Sequence, residues 1–99
     1  MTDAEQFTET YAALRRQVHE WIERANEHGT ARPFLDEWGG DEMVAALWKL
    51  TSDAKESLAC EAMIRALGDL IDAEIGAEWD AETTDYFIAQ RALLAERLA

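Results

Sequence analysis

The sequence predicts an all-α fold, a compact bundle of four or five helices, and three observations carry that prediction. Apolar residues recur at alternating four- and three-residue steps, as in Phe7, Tyr11, Leu14, Val18, Trp21 and Ala25, which is the period of one helix face. Capping patterns and glycines fall where such runs would begin and end. The one passage that alternates like a strand, Ile71 to Glu82, is built from Ala, Asp and Glu, which are poor strand formers.

The first helix starts at Thr2-x-x-Glu5, which has the form of a capping box, and runs to just before Gly29. Its far side carries Glu5, Glu9, Arg16, Glu20, Glu23 and Glu27 and reads as a solvated face, with Glu20 and Arg24 placed for an i,i+4 pair. Gly29 to Arg32 breaks the pattern. Pro33 suits the first turn of a short helix through Trp38, because its missing N–H is not needed there, and Gly39-Gly40 ends it.

Asp41 can cap a third segment of about ten residues, with Val44, Leu47, Trp48 and Thr51 on one face and Met43 and Leu50 at its edges. Ser52 or Asp53 can cap the next, since Asp53-x-x-Glu56 repeats the box logic. Cys60, Met63, Ile64, Leu67, Leu70, Ile71 and Ile75 make this the central core helix, with Gly68 inside it as a point of close approach and Gly76 as its stop. A strand is the competing reading of residues 71–82; weighing propensity against period favours a helix ending near Gly76 and a short acidic connection. Asp80 can cap a last helix carrying Phe87, Leu94 and Leu98, flanked by Tyr86, Ile88 and Leu93. The expected core is Leu14, Val18, Trp48, Ile64, Leu67, Ile71, Phe87 and Leu94, within a single domain over residues 1–99.

Composition limits the function classes. Of 99 residues, 48% are apolar, enough to pack a core and too many for a disordered acidic tail. Cys60 is the only cysteine, so no intramolecular disulfide or multi-cysteine metal site can form, and a reducing, cytoplasmic setting is expected. The acidic start, Met1 to Glu5, is followed by no apolar stretch of the kind a secretory signal carries. The apolar run from Met43 to Trp48 is far too short to cross a bilayer. A net charge of -12 repels nucleic-acid phosphates and anionic membranes and attracts basic proteins.

No constellation points to catalysis. His19 and Glu23 are one helical turn apart, but zinc catalysis needs three protein ligands, and a surface hydrogen-bonding pair is the simpler reading. His28 falls near a helix end, where the dipole favours a cation. Asp36 to Glu42 holds four acids and two glycines without the register of a calcium loop. Paired carboxylates for glycoside hydrolysis would need a cleft that a domain of this size can hardly enclose. Cys60 lies on the apolar stripe and reads as buried. Trp21 and Trp48 fit core stripes, whereas Trp38 and Trp79 sit among glycines and acids, where an indole can serve as an interface anchor or plug the end of a bundle.

The strongest feature is electrostatic. Between Arg65 and Arg91 lie Asp69, Asp72, Glu74, Glu78, Asp80, Glu82 and Asp85 and no lysine or arginine. Repulsion among such charges disfavours the compact state, so they serve either solubility or a partner. Carboxylates one helical turn apart lie about 5 to 6 Å from each other, and a row of them can imitate a phosphate backbone.

In size, acidity, helical content and lack of catalytic motifs the chain resembles small phage-encoded inhibitors of host defence, the anti-CRISPR proteins and DNA mimics. The likeness lies in the whole chain and not in a motif. It implies a basic, nucleic-acid-handling target such as a CRISPR effector, met in the host cytoplasm. Trp38-Gly39-Gly40 in an acidic chain of this length also resembles the turn of WXG-motif secretion substrates, which implies a dimerising helical hairpin. Pro33, Gly68 and Gly76 interrupt the two long helices that family needs, and Tyr86-x-x-x-Gln90 only approaches its export signal.

The expectation is therefore a small acidic interaction protein, not an enzyme, with no cofactor, metal, membrane or direct nucleic-acid ligand. Its partner-binding residues are Asp69, Asp72, Glu74, Glu78, Trp79, Asp80, Glu82 and Asp85, with Trp38. The alternative is an assembly protein that forms a homodimer through exposed Trp and apolar surface.

Overall fold

The structure, a computed structural model, describes residues 2–27, 40–73 and 81–99. Among them are four helices and no strand: α1 Asp3–Glu27, α2 Gly40–Lys49, α3 Glu56–Asp72 and α4 Ala81–Leu98. The all-α bundle predicted from periodicity is the observed fold. The expected short helix from Pro33 to Trp38 lies outside the described residues.

Helix α1 begins as its capping pattern requires. The Glu5 backbone N–H donates to Thr2 Oγ1 at 3.1 Å, satisfying one of the donors that a helix start leaves open. Its 25 residues give an axis of about 37 Å, which sets most of the molecule's 41 Å length. Leu14, Val18 and Trp21 are buried, and Phe7 and Tyr11 pack at the margin.

Helix α2 starts at Gly40, so Asp41 stands inside the first turn and is not the cap the sequence suggested. Its charge still opposes the positive end of the helix dipole. The buried face is Met43, Val44, Leu47 and Thr51, while Trp48 is half-buried and Leu50 exposed. The stripe is thus turned by one position towards Met43, which moves Trp48 from the expected core to its edge. The Thr51 hydroxyl donates to the Trp48 carbonyl at 2.8 Å, so the one buried polar side chain here is satisfied.

Neither Ser52 nor Asp53 caps α3. Successive i to i+3 bonds, Leu50 to Leu47, Thr51 to Trp48, Ser52 to Lys49 and Ala54 to Thr51, tighten this segment into turns. The next helix therefore opens two residues after Asp53, with Lys55 as an extended N-cap lacking a side-chain capping bond. In α3, Cys60, Met63, Leu67 and Leu70 are buried, joined by Ala59, Ala62 and Ala66. These alanines let neighbouring helices close over a wide arc, which leaves Ile64 and Ile71 half-buried at its margins and not in the core as expected. Gly68 admits no close backbone: a Cβ there would meet only the Arg91 guanidinium, at 3.6 Å.

The helix also stops before Gly76. Its C-cap is Ala73, already extended at φ -61 and ψ 146. Asp69 and Asp72 lie in a last turn that holds no basic residue, and carboxylates at the negative end of the dipole weaken a terminus. In α4, Phe87 and Leu94 are buried as expected, while Leu98, Ile88 and Leu93 are exposed.

Contacts between helices fix their directions. The Lys55 ammonium meets Asp3 Oδ1 at 2.8 Å and Tyr11 reaches Asp69, so α1 and α3 run the same way. The Arg97 guanidinium pairs with Glu56, which sets α4 antiparallel to α3. Tyr86 packs on Gly40 and Arg97 covers the Trp48 ring at 5.9 Å, so α2 runs with α4. The result is an up-down-up-down bundle centred on α3, with α1 and α4 packed along it. It is not the two-helix hairpin of the WXG resemblance. No described helix is long and apolar enough to cross a membrane.

Candidate functional site

This topology brings acidic residues from three helices to one end of the bundle. The start of α2, the end of α3 and the start of α4 share one end, which brings Asp41 and Glu42 together with Asp72, Glu82 and Asp85, all exposed. Among the described residues, none of these five takes part in an ion pair. At the opposite end two carboxylates are matched, Asp3 by Lys55 and Glu56 by Arg97, while Glu5, Asp53 and Glu96 are exposed without an ion pair among the described residues. On α1, Glu20 lies 3.9 Å from Arg24, and Glu23 lies 3.1 Å from His19, the surface pairs that the i,i+4 spacing predicts. Two helix starts and two helix ends meet at the acidic end, so their dipoles largely cancel and the side chains set the potential.

Of the residues predicted to bind a partner, Asp72, Glu82 and Asp85 belong to this surface. Asp69 does not. It is half-buried, and its Oδ2 accepts a 2.5 Å hydrogen bond from the Tyr11 hydroxyl. That bond, with desolvation and the Asp69 charge acting in the same direction, raises the Tyr11 phenol above its ordinary 10.0. The Tyr11 ring stacks on Phe7 at 6.0 Å, and the Arg65 guanidinium lies over both rings at 5.9 and 5.6 Å. Asp69 is thus committed to the α1–α3 contact. Glu74, Glu78, Trp79, Asp80 and Trp38 lie outside the described residues.

Sequence reasoning missed Asp41 and Glu42 as members of the acidic surface. They are some thirty residues from Asp72, and only the parallel course of α2 and α4 brings them to it. The available signal was the acid-rich Asp36 to Glu42 segment, weighed only as a calcium loop. Arg91, the nearest cation on α4, lies over Gly68, one turn before Asp72, and makes no ion pair among the described residues.

Two grooves follow the seam between α2 and α4. One, of about 570 Å³, lies at the acidic end and is lined by Gly40, Asp41, Glu82, Thr83 and Tyr86. The other, of about 440 Å³, lies at the far end and is lined by Trp48, Gln90, Leu93, Leu94, Glu96 and Arg97. A Cβ at Gly40 would stand 3.1 Å from Tyr86 Cδ1, close enough that the ring would shift by a few tenths of an ångström. Among the described residues no three His, Cys, Asp or Glu side chains converge on a cation-sized space. Cys60 is buried in the core, as its place on the apolar stripe predicts.

Carboxylates gathered this way act on a partner as a group, since neighbours within about 8 Å are not screened from one another at physiological salt. Set against known proteins, the chain has no match among protein-family models, curated proteins or solved structures.

Proposed function

We propose that this protein is a non-catalytic inhibitor that sets the acidic end of its bundle on the basic, nucleic-acid-binding surface of another protein, such as a CRISPR effector. One observation carries the reading: the fold gathers Asp41, Glu42, Asp72, Glu82 and Asp85 at one end with no ion pair to any of them among the described residues, while Asp3 and Glu56 at the other end are matched by cations. A protein that grips phosphates with Lys and Arg gains its affinity by neutralising charge. Glu82 and Asp85, one turn apart on α4, offer that charge at about 5 to 6 Å spacing on a rigid support. Electrostatic complementarity of this kind speeds encounter and selects the partner.

The test compares two triple variants of equal net charge. One reverses Asp72, Glu82 and Asp85 to lysine; the other reverses Glu5, Glu9 and Glu61, exposed residues away from that end. The immobilised chain captures proteins from host lysate, and the captured proteins are identified and challenged with an oligonucleotide. The expected partner binds nucleic acid, is displaced by the oligonucleotide, and is lost only with the first variant. Capture that survives the first variant, or that persists as salt rises from about 0.1 to about 0.5 M, refutes the reading.

A further inference from the structure

The two grooves along the α2–α4 seam lie in line and differ in character. From the acidic end, α4 presents Glu82, Tyr86, Gln90, Leu93 and Arg97 to it at steps of four, four, three and four residues. Asp41 and Trp48 face them from α2. At one end Leu93 is 54% exposed beside the half-buried Trp48 ring, so apolar surface is left in water where a side chain could cover it. Arg97, the cation there, already engages Glu56 and the Trp48 ring. At the other end Asp41 and Glu82 flank the Tyr86 ring, with no ion pair to either among the described residues. A carboxylate pair beside an aromatic ring suits a lysine or arginine.

We infer that this seam holds an amphipathic helix of the partner, with a large apolar side chain between Trp48 and Leu93 and a lysine or arginine between Asp41 and Glu82. The spacing is favourable. Thr83 and Leu93 are about 15 Å apart along α4, and on a second helix about eleven residues span that distance and return to the same face. This is the groove mode of helix recognition, in which a few anchors along one face do the binding. A second copy of this chain fits poorly, because its own seam is concave and it brings the same charge of -12. The cationic end of the inference rests on the proposed function; the apolar end stands on the groove itself.

The probe is a helical alanine- and glutamine-based peptide with one phenylalanine and, about eleven residues on, one arginine. It is titrated into the isotope-labelled full chain, and amide and indole shifts are followed. Shifts at the Trp48 indole, Gln90, Leu93, Tyr86 and Thr83 are expected, with at least a tenfold loss of affinity when the phenylalanine becomes alanine or the arginine becomes glutamine. Leu93→Asp should abolish binding and the milder Leu93→Ala weaken it, with circular dichroism checking that both fold; Glu9→Lys, exposed on α1 and off the seam, should leave it within about twofold. Equal binding of the phenylalanine-free peptide overturns the groove and leaves the proposed function standing. Equal binding of the arginine-free peptide overturns the acidic end and weakens the proposed function with it. Shifts of the same amides with protein concentration alone, with a dimer in sedimentation, would assign the seam to a second copy and also overturn the inference.

Discussion

Replacing Tyr11 by phenylalanine removes one oxygen and little else, and it tests whether Asp69 belongs to the helix contact or to the acidic surface. The ring remains, so the stack on Phe7 and the Arg65 guanidinium above it are kept. What is lost is the hydroxyl that donates to Asp69 Oδ2 at 2.5 Å. Hydrogen bonds to charged groups contribute about 1.5 to 3 kcal/mol; both partners are only partly buried here, so water competes and about 1 to 2 kcal/mol is the reasonable loss. For a domain of this size that corresponds to a fall of roughly 5 to 10 °C in Tm. Urea unfolding of Tyr11→Phe, Asp69→Asn and the double variant gives the coupling directly. It should be about 1 kcal/mol, and additivity within about 0.3 kcal/mol would refute the assignment of Asp69 to the α1–α3 contact.

The same bond sets a pH dependence with a definite sign. Its donor is the phenol proton, so Tyr11 titrates above 10.0 in the folded chain, chiefly through the Asp69 hydrogen bond. The folded state holds that proton more tightly than the unfolded one. The stabilisation is therefore complete below about pH 10 and is lost as pH rises through the higher folded value. Tyr11→Phe should lack this alkaline component, and a variant that loses stability in parallel with the wild type above pH 10 would contradict the linkage.

Gly68→Ala should stabilise the protein by about 1 kcal/mol in thermal unfolding, because a mid-helix glycine is costly and the new methyl meets only the Arg91 guanidinium at 3.6 Å; a loss would mean that α3 and α4 need the glycine after all. Cys60 is 1% exposed, so alkylation of the native thiol should run slower than in urea by about a thousandfold or more, tracking global opening. Asp72→Asn should stabilise α3 by about 0.3 to 1 kcal/mol at low salt and by less as salt rises, since it removes a carboxylate from the negative end of the helix dipole.

Periodicity made most of the fold legible. Phe7 to Trp21 and Cys60 to Leu70 repeat at helical intervals over several turns, and each repeat became the packed stripe of its helix, because a face laid along a neighbour must be apolar over its length. Boundaries were less legible. Whether Asp53 or Lys55 opens α3 depends on the i to i+3 turns through residues 50–54, which compete with the capping box for the same residues. Edge positions erred for a related reason: Trp48, Ile64 and Ile71 each follow a buried residue, Leu47, Met63 and Leu70, by one position, and the facing helices decide which side of the stripe is covered. Within the site, Asp72, Glu82 and Asp85 were visible as a run without cations. The Asp69 hydrogen bond was not legible because its partner, Tyr11, is 58 residues away, and Asp41 and Glu42 were missed because adjacency through bundle topology leaves no mark in local spacing.

The positions of the acidic residues bear on why they are there. At the start of a helix a carboxylate helps the fold, so Asp41, Glu42 and Glu82, all in first turns, are accounted for by the dipole without any partner. Asp72 has no such account: it stands in the last turn of α3 beside Asp69 with no basic residue in that turn, where charge and dipole repel. Asp85 lies in the second turn of α4, beyond the reach of the dipole's positive end, and adds repulsion against Glu82 one turn before it. Residues that cost stability where they stand, and that neutral substitutes would relieve, are the ones a binding surface explains best. Asp72 and Asp85 therefore discriminate between solubility and recognition more sharply than the rest. If charge alone mattered, moving both carboxylates to other exposed positions at constant net charge would leave partner capture intact; if the acidic end is the contact, capture falls while the fold becomes more stable.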